Sequence, residues 1–363
     1  MYHLFRKLID INLLYLSKYS RFFLNFIQPR PIEASFKVTE RCNSRCITCN
    51  VWKNVPKNEL TTQEIENVFY QLREIGIKYI GFTGGECLLR DDIGELIKKA
   101  KKILRAKVYI ITNGILLEEK AKILLEQGVD YISVSLDGIG KTDEKIRGVP
   151  GHYEKVIRGI KRLRKLSSGK SPPINIGTTL VKLNLHEIPK LIEVCKKLNV
   201  TWSYNLLDTS LYFFKGIDTS QLLVNDENLV DKTIDYLYEI KKKDPEIINM
   251  NFKSLEFARE YLKNKKPNFH CTMGYLRVLI DSSLNVYSGC WALPPMGNLR
   301  KENLKDIIRS PKYKQRTKQM FDLNCPRCTC GYAFSLAINF LPSSLIEAIK
   351  NFKGYKTYLK MIV

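Results

Sequence analysis

The middle of the chain alternates between short apolar segments and longer segments with helical periodicity. Six short segments are predicted as strands, at 34–39, 78–83, 108–112, 131–136, 174–180 and 201–206. The segments between them are predicted as helices, at 61–74, 92–105, 118–127, 153–166 and 187–198. Strands that alternate with helices form parallel sheets, because each helix returns the chain to the edge where the next strand begins. The pattern therefore predicts an α/β fold, a partial (β/α)6 barrel of the TIM type with a mostly parallel, incompletely closed sheet.

The ten cysteines stand mostly in groups with short spacings. Cys42, Cys46 and Cys49 form a C-x3-C-x2-C pattern directly after the first predicted strand. Three thiolates can hold three irons of a [4Fe–4S] cluster and leave the fourth iron open for chemistry, whereas a closed structural site takes a fourth protein ligand. A zinc site or three unrelated thiols remain alternatives. Short spacings favour metal binding over disulfides, so we expect a reducing, cytoplasmic location.

A second motif, Gly84-Gly85-Glu86, stands at the end of the second predicted strand. Adjacent glycines let a backbone come close to a ligand, and a carboxylate beside them can bind an amino group. On its own, the motif also fits a tight turn between a strand and a helix. The two motifs together, in this order, resemble the radical S-adenosylmethionine (SAM) superfamily.

This resemblance implies that the three cysteines hold a [4Fe–4S] cluster whose open iron binds the amine and carboxylate of SAM. It also implies that the Gly-Gly-Glu stretch contacts the methionine amine. Ser135 and Arg147 are assigned by the resemblance to the SAM carboxylate, and Asn113 and Thr178 to the ribose or adenosine. All four stand near or beyond the C-terminal ends of predicted strands, where parallel barrels bind their ligands. Each also has a plain alternative as a turn or helix-capping residue.

The chain departs from the family pattern at two positions. Thr48 stands where an aromatic residue usually precedes the third cysteine, and Cys87 stands where a proline often follows the Gly-Gly-Glu stretch. Trp52 is either a substitute aromatic surface for the adenine or a core residue. Cys87 is expected to be an inert buried thiol.

A second cysteine array follows in the C-terminal part. Cys271 precedes a predicted strand at 276–281, and a hairpin turn at 282–285 leads to a strand that ends at Cys290. The hairpin is expected to bring these two thiols together. Asn285 is the turn residue expected to take a positive φ, because asparagine tolerates the left-handed region.

A basic helix predicted at 303–320 leads to a C-x2-C pair, Cys325 and Cys328. This array resembles the SPASM/twitch extension of radical SAM enzymes. The resemblance implies one auxiliary [4Fe–4S] cluster held by Cys271, Cys290, Cys325 and Cys328, with zinc at the same thiols as the alternative. Only Cys330 remains for further ligation, which favours the shorter, single-cluster form.

The predicted organisation has five parts. They are an amphipathic N-terminal extension at 1–30, the radical SAM barrel at 31–207, a helical bridge at 208–265, the auxiliary-cluster domain at 266–335, and an amphipathic tail at 336–363. Lys18 and Arg21 interrupt the apolar N-terminal run, so it is too short to cross a bilayer. The N-terminal helix is expected either to cover an open side of the barrel or to lie on the inner face of an anionic membrane.

The net charge of +22 raises the possibility of a nucleic-acid partner. Most lysines, however, fall on the polar faces of predicted helices, and no RNA-binding aromatic motif is present, so nucleic acid is not the expected partner. A flavodoxin or ferredoxin is expected as the electron donor.

The resemblance implies a reaction in which the cluster gives one electron to SAM and the resulting 5′-deoxyadenosyl radical takes hydrogen from an unactivated C–H bond. A fully ligated auxiliary cluster can accept an electron, which favours dehydrogenation or crosslinking of a sugar or polyol, a peptide, or a membrane-linked substrate. The alternatives are a redox-neutral epimerase with Cys330 or Cys87 as hydrogen donor, and a non-enzymatic, zinc-stapled protein that binds nucleic acid.

Overall fold

The computed structural model describes residues 16–17, 20, 22, 26–53, 58–167, 171–207, 218–265 and 270–325. Its strands are β1 Glu33–Thr39, β2 Tyr79–Gly84, β3 Lys107–Thr112, β4 Tyr131–Ser135, β5 Ile174–Leu180, β6 Thr201–Leu206, β7 Arg277–Ile280, β8 Asn285–Tyr287 and β9 Gly297–Asn298. Its α-helices are α1 Thr62–Glu74, α2 Ile93–Leu104, α3 Leu117–Glu126, α4 Lys141–Arg147, α5 His152–Leu166, α6 Ile188–Leu198, α7 Glu227–Lys243, α8 Phe252–Leu262, α9 Met273–Leu276, α10 Leu304–Arg309 and α11 Pro311–Phe321.

All nine strands belong to one sheet, in the order β6-β5-β4-β3-β2-β1-β7-β8-β9. The strands from β1 to β6 pair in parallel, and β7 pairs in parallel with the free side of β1. β8 and β9 continue as an antiparallel hairpin extension. Among the described residues β6 and β9 lie at opposite edges, so the sheet stays open. The predicted partial barrel with a C-terminal hairpin is confirmed.

Side chains of the barrel strands alternate between an apolar face and a polar face, as the period of two in a strand requires. On β1, Ala34, Phe36 and Val38 are fully buried in the main hydrophobic core, whereas Ser35 and Lys37 lie on the opposite, inner face. The same alternation places further polar residues on the inner faces of β3 to β6: Tyr109, Ser133, Ser135, Asn175, Thr179 and Ser203. Polar groups therefore collect inside the barrel.

Two helical features differ from the sequence expectation. The short helix α4 was not predicted, because seven residues are too few for a periodic apolar pattern to emerge. The basic helix predicted at 303–320 is two helices, α10 and α11. Ser310 caps the second helix with its side chain, and Pro311 cannot donate the backbone hydrogen bond that a continuous helix needs.

The hairpin turn also differs from the expectation. The positive φ belongs to Leu284, at 66°, and not to Asn285. The Asp281 carboxylate explains this, because its Oδ1 accepts hydrogen bonds from the backbone N–H groups of Ser283 and Asn285 at 2.9 Å each. One buried carboxylate therefore organises the turn and fixes which residue takes the left-handed conformation.

The N-terminal segment reaches the C-terminal part of the chain. Ile27 packs against Tyr275 and Phe321, and the backbone N–H of Ile32 donates to Leu276 O at 2.9 Å. The predicted domain boundaries stay predictions, and the tail at 336–363 lies outside the described residues. Among the described residues, none of the helices has the length and hydropathy of a membrane span.

Candidate cofactor site

The cysteine loop, residues 40–50, follows β1 and is anchored on one side by the end of α4. The backbone N–H groups of Arg45 and Ile47 donate to the carbonyls of Arg147 (3.0 Å) and Ile146 (2.9 Å). Gly148 ends α4 so close to the loop that a Cβ there would lie 2.4 Å from Arg45 O. Only glycine fits this approach without displacing the loop.

The Gly-Gly-Glu turn anchors the other side of the cysteine loop. Gly85 N–H donates to Thr39 O at 2.9 Å, and Glu86 N–H donates to Arg41 O at 2.7 Å. A Cβ on Gly84 would lie 2.1 Å from Thr39 O, and a Cβ on Gly85 would lie 2.3 Å from Arg41 O. Gly84 is therefore required by the backbone at the end of β1, and Gly85 by the backbone of the cysteine loop. Their predicted contact with the methionine amine stays a prediction.

Backbone N–H groups are directed at two of the three thiols. Ser44 N–H lies 3.4 Å from Cys42 Sγ, and Val51 N–H lies 3.4 Å from Cys49 Sγ. Donors of this kind stabilise a thiolate over a thiol, and hydrogen bonds to the sulfurs are one of the factors that set cluster potentials.

Side chains supply further donors to the thiols. Asn113 Nδ2 lies 3.8 Å from Cys42 Sγ, and Arg147 Nη1 lies 3.9 Å from Cys46 Sγ. Burial raises the pKa of Cys46 to about 11, although the Arg147 guanidinium opposes the shift. Metal binding at this loop must therefore release a proton from Cys46 at neutral pH.

The Glu86 side chain is fully buried, and its carboxylate accepts hydrogen bonds from other groups of the protein. Its Oε1 accepts from Thr112 Oγ1 (2.8 Å) and Leu88 N–H (3.0 Å), and its Oε2 accepts from Asn113 N–H (2.6 Å). Burial is the main cause that raises the pKa of this carboxyl. The contacts tie the end of β2 to the end of β3, a role that the sequence did not indicate. The contact of Glu86 with SAM stays a prediction.

Arg147 is placed beside the cysteine loop by a buried ion pair. Its Nε lies 2.7 Å from Asp137 Oδ2, and both side chains are almost completely buried. Ser135, the other residue assigned to the SAM carboxylate, is half-buried at the end of β4, two residues before Asp137. Sequence reasoning missed Asp137, although its position directly after a barrel strand could have identified it.

The Thr178 hydroxyl also forms its hydrogen bonds within the protein. Its hydroxyl donates to Leu136 O at 2.8 Å and accepts from Trp202 Nε1 at 2.9 Å, and it is fully buried. It lies on the helix-facing side of β5, whereas Thr179 lies on the inner face. The assignment of Thr178 to the ribose or adenosine stays a prediction that this orientation does not favour.

Lys37 is a second inner-face residue that sequence reasoning missed. Its side chain is almost completely buried, and its ammonium lies 4.6 Å from the centre of the Trp291 ring. Burial is the main cause that lowers the pKa of Lys37 to about 8, while nearby Glu40 and Cys49 oppose the shift. The sequence of β1 could have identified it. Apolar residues alternate along this strand, and Lys37 lies between Phe36 and Val38, at a position that faces away from the apolar core.

Trp52 covers the cysteine loop. Its indole N–H donates to Cys49 O at 2.9 Å, and the Arg45 guanidinium lies 5.0 Å from the ring centre. The ring is half-buried. Of the two expectations for Trp52, an aromatic surface at the site fits this position better than a core residue.

Comparison with known proteins identifies the family. A family model described as the radical SAM superfamily matches residues 36–195. A probable GTP 3′,8-cyclase of Methanococcus aeolicus is 31% identical over 236 residues, which cover 63% of this chain and 70% of that protein. The chain belongs to the radical SAM superfamily. Membership confirms the predicted resemblance to this superfamily and contradicts the alternative of a non-enzymatic, zinc-stapled protein. The resemblance of the C-terminal part to the SPASM/twitch extension stays a prediction.

Other relatives match over the barrel alone. The AdoMet-dependent heme synthase of Methanosarcina barkeri is 36% identical over 168 residues, which cover 45% of this chain and 47% of that protein. The chain thus spans less than half the length of the first curated relatives it matches. These relatives are enzymes by name, as predicted for this chain.

Solved structures confirm the fold. The structure of anSMEcpe with bound AdoMet and Cp18Cys peptide superposes with a TM-score of 0.64 at 20% sequence identity, and covers 89% of this chain and 100% of that one. The likeness therefore extends beyond the barrel into the C-terminal part.

Radical SAM proteins use a [4Fe–4S] cluster and SAM, and the cysteine loop fits such a cluster. The loop presents three thiols, the ligand type that iron–sulfur clusters take, and N–H donors reach each of them. Among the described residues, no group of three or more His, Cys, Asp or Glu side chains converges on a single metal ion. In a cluster of this kind each thiolate binds a different iron, so the fit rests on the donor set and on the anchoring of the loop.

The second cysteine array is only partly described. Cys271 lies in an apolar cluster with Met273 and Met320, and Cys290 packs against the same cluster. Gly289, with φ at 81°, lets the chain turn into Cys290, because a Cβ there would lie 2.5 Å from Met273 O. Cys271 and Cys290 thus pack against the same apolar side chains, and their ligation of an iron–sulfur cluster stays a prediction. Cys325 is half-buried, whereas Cys328 and Cys330 lie outside the described residues.

The isolated cysteines belong to the core. Cys87 is fully buried, and its Sγ lies 3.5 Å from Ile111 O. Cys195 is fully buried on α6. A hydrogen-donor role for Cys87 is not favoured, because its thiol is enclosed in the helix-facing core.

Proposed function

We propose that this chain is a radical SAM enzyme in which Cys42, Cys46 and Cys49 hold the [4Fe–4S] cluster that binds SAM. The observation that carries the proposal is the cysteine loop itself, held between the Gly-Gly-Glu turn and the end of α4. This clamp presents the thiols at the C-terminal ends of the barrel strands, where parallel barrels place their active sites.

When bound, the cluster and SAM supply a one-electron reductive cleavage and the abstraction of hydrogen from an unactivated C–H bond. The chain's own residues bind and orient these groups. Arg147 and Ser135 are proposed to receive the SAM carboxylate. Arg147 lies beside Cys46, and Ser135 ends β4 two residues before Asp137, the ion-pair partner of Arg147. Asn113 is proposed to face the ribose or adenosine, since its side chain lies next to Cys42.

We propose an auxiliary [4Fe–4S] cluster at Cys271, Cys290, Cys325 and Cys328. Two observations support this proposal. Cys271 and Cys290 pack against the same apolar side chains, and the hairpin is attached to the barrel through the pairing of β7 with β1. A cluster with four thiolate ligands has no open iron, so its proposed role is to accept an electron. Net oxidation of the substrate, as dehydrogenation or crosslinking, is therefore the leading reaction class.

The substrate is proposed as a peptide, a sugar or polyol, or a membrane-linked molecule. A peptide gains some support from the fold, because anSMEcpe was crystallised with a peptide and its fold covers 89% of this chain. Peripheral membrane contact is also proposed, because the Phe22 and Phe26 rings are exposed. A flavodoxin or ferredoxin remains the proposed electron donor.

The anaerobically reconstituted protein should bind about eight irons, from two four-iron clusters. The Cys290→Ala variant should bind about four, because it loses one ligand of the second cluster only. Iron, sulfide and zinc are measured on the same samples. Zinc with little iron would contradict the radical SAM proposal, and about four irons in the parent protein would remove the auxiliary cluster alone.

A further inference from the structure

His152 begins α5 and its side chain is fully buried, although no step of the proposed function uses it. Both ring nitrogens have partners. Nδ1 lies 2.5 Å from Asp143 Oδ2, and Nε2 lies 2.8 Å from the backbone carbonyl of Asn113. A carbonyl oxygen only accepts hydrogen bonds, so Nε2 carries the proton of that contact.

Each ring nitrogen begins a path to a thiol of the cysteine loop. On the Nε2 side, Asn113 follows directly, and its Nδ2 donates to Asn43 Oδ1 at 2.7 Å and lies 3.8 Å from Cys42 Sγ. The same residue's backbone N–H is held by Glu86. The place of the Asn113 amide against Cys42 is therefore fixed from two sides.

On the Nδ1 side, the path runs through two carboxylates. Asp143 Oδ1 accepts from the backbone N–H of Asp137 at 2.8 Å. Asp137 pairs with Arg147 at 2.7 Å, and Arg147 reaches Cys46. Asp143 and Asp137 are both fully buried, so water does not compete for these contacts.

We propose that His152 is a positioning residue for the cysteine loop: one buried imidazole fixes Asn113 against Cys42 and, through Asp143 and Asp137, fixes Arg147 against Cys46. The inference rests on the proposed function, because it concerns how firmly the loop holds its cluster. Groups that orient the ligands of a metal site typically change metal affinity or activity by roughly 10–100-fold when they are removed.

Three variants separate the two paths. His152→Phe keeps a ring but removes both contacts. His152→Gln places an amide near the position of Nε2 and keeps a donor for the Asn113 carbonyl. His152→Asn places its amide near Nδ1 and keeps a donor for Asp143. Leu163→Ala, at the other end of the same helix and fully buried, is a control for loss of stability alone.

Two quantities are measured. The first is the rate at which a chelator removes the iron–sulfur cluster, followed by the electron paramagnetic resonance signal that changes when SAM binds. The second is the dissociation constant of SAM. We expect His152→Phe to lose that signal roughly tenfold faster or more than the parent protein. His152→Gln should lose it more slowly than His152→Asn, because Asn113 contacts the imidazole directly, whereas Arg147 is three contacts away from it. Leu163→Ala should match the parent protein.

Equal rates for the parent protein and His152→Phe, or for His152→Phe and Leu163→Ala, would overturn the inference. If His152→Phe does not fold, equal rates for His152→Gln and His152→Asn would overturn it equally. These outcomes leave the proposed function standing, since the parent protein still shows the SAM-responsive signal. Absence of that signal in the parent protein would overturn both proposals.

Discussion

Alanine at Cys42, Cys46 or Cys49 is expected to abolish the reductive cleavage of SAM. Each change removes one of the three thiolates proposed to hold the cluster, and no other thiol among the described residues lies on the cysteine loop. Formation of 5′-deoxyadenosine from SAM under reduction, measured by chromatography, should fall below detection. The second cluster should remain, so about four irons should still be bound.

Cys195→Ala is the matched control for these variants, because Cys195 is a fully buried thiol on α6. It should retain cluster content and SAM cleavage, with at most a modest loss of stability. Continued 5′-deoxyadenosine formation in all three loop variants would show that the cleaving cluster lies elsewhere in the chain.

Glu86→Ala is expected to destabilise the fold as well as weaken SAM binding. The change leaves Leu88 N–H, Thr112 Oγ1 and Asn113 N–H without their acceptor in a fully buried site. An unpaired buried polar group costs about 1–3 kcal/mol, so the free energy of unfolding should fall by roughly 3 kcal/mol or more. Denaturant unfolding of the iron-free protein measures this without any contribution from SAM.

Glu86→Gln is the matched comparison. Its amide oxygen can still accept from Leu88 and Thr112, but its NH2 group cannot accept from Asn113 N–H, so an intermediate loss is expected. If Glu86→Ala leaves unfolding unchanged and weakens only SAM binding, the carboxylate serves the ligand and the structural role inferred from its contacts is wrong.

Local sequence signals predicted much of the scaffold. Thr61 and Glu64 have the spacing of a capping box, and the structure shows one: the Thr61 hydroxyl accepts from Glu64 N–H, and the Glu64 carboxylate accepts from Thr61 N–H. Each barrel strand agrees with its prediction to within one residue at either end. These features depend on neighbours in sequence, through propensity, periodicity and capping, so the sequence alone is informative about them.

The site was predicted less completely, because its side chains are arranged by contacts distant in sequence. Thr178 and Thr179 are equally plausible in sequence, and only the register of β5 shows which one lies on the inner face. The pairing of Asp137 with Arg147 depends on α4, a helix too short to predict. The sequence motif indicates a ligand as the reason for glycine at 84 and 85, whereas their close neighbours in the structure are the end of β1 and the start of the cysteine loop.

The most direct test of the central claim is electron–nuclear double resonance on the reduced protein with SAM labelled with 15N at the amine and 17O at the carboxylate. The account predicts hyperfine coupling of both nuclei to a four-iron cluster in the parent protein and in Cys290→Ala, because the cluster proposed at Cys42, Cys46 and Cys49 would have one open iron. A reduced cluster at this loop that shows no coupling to either label would contradict the account.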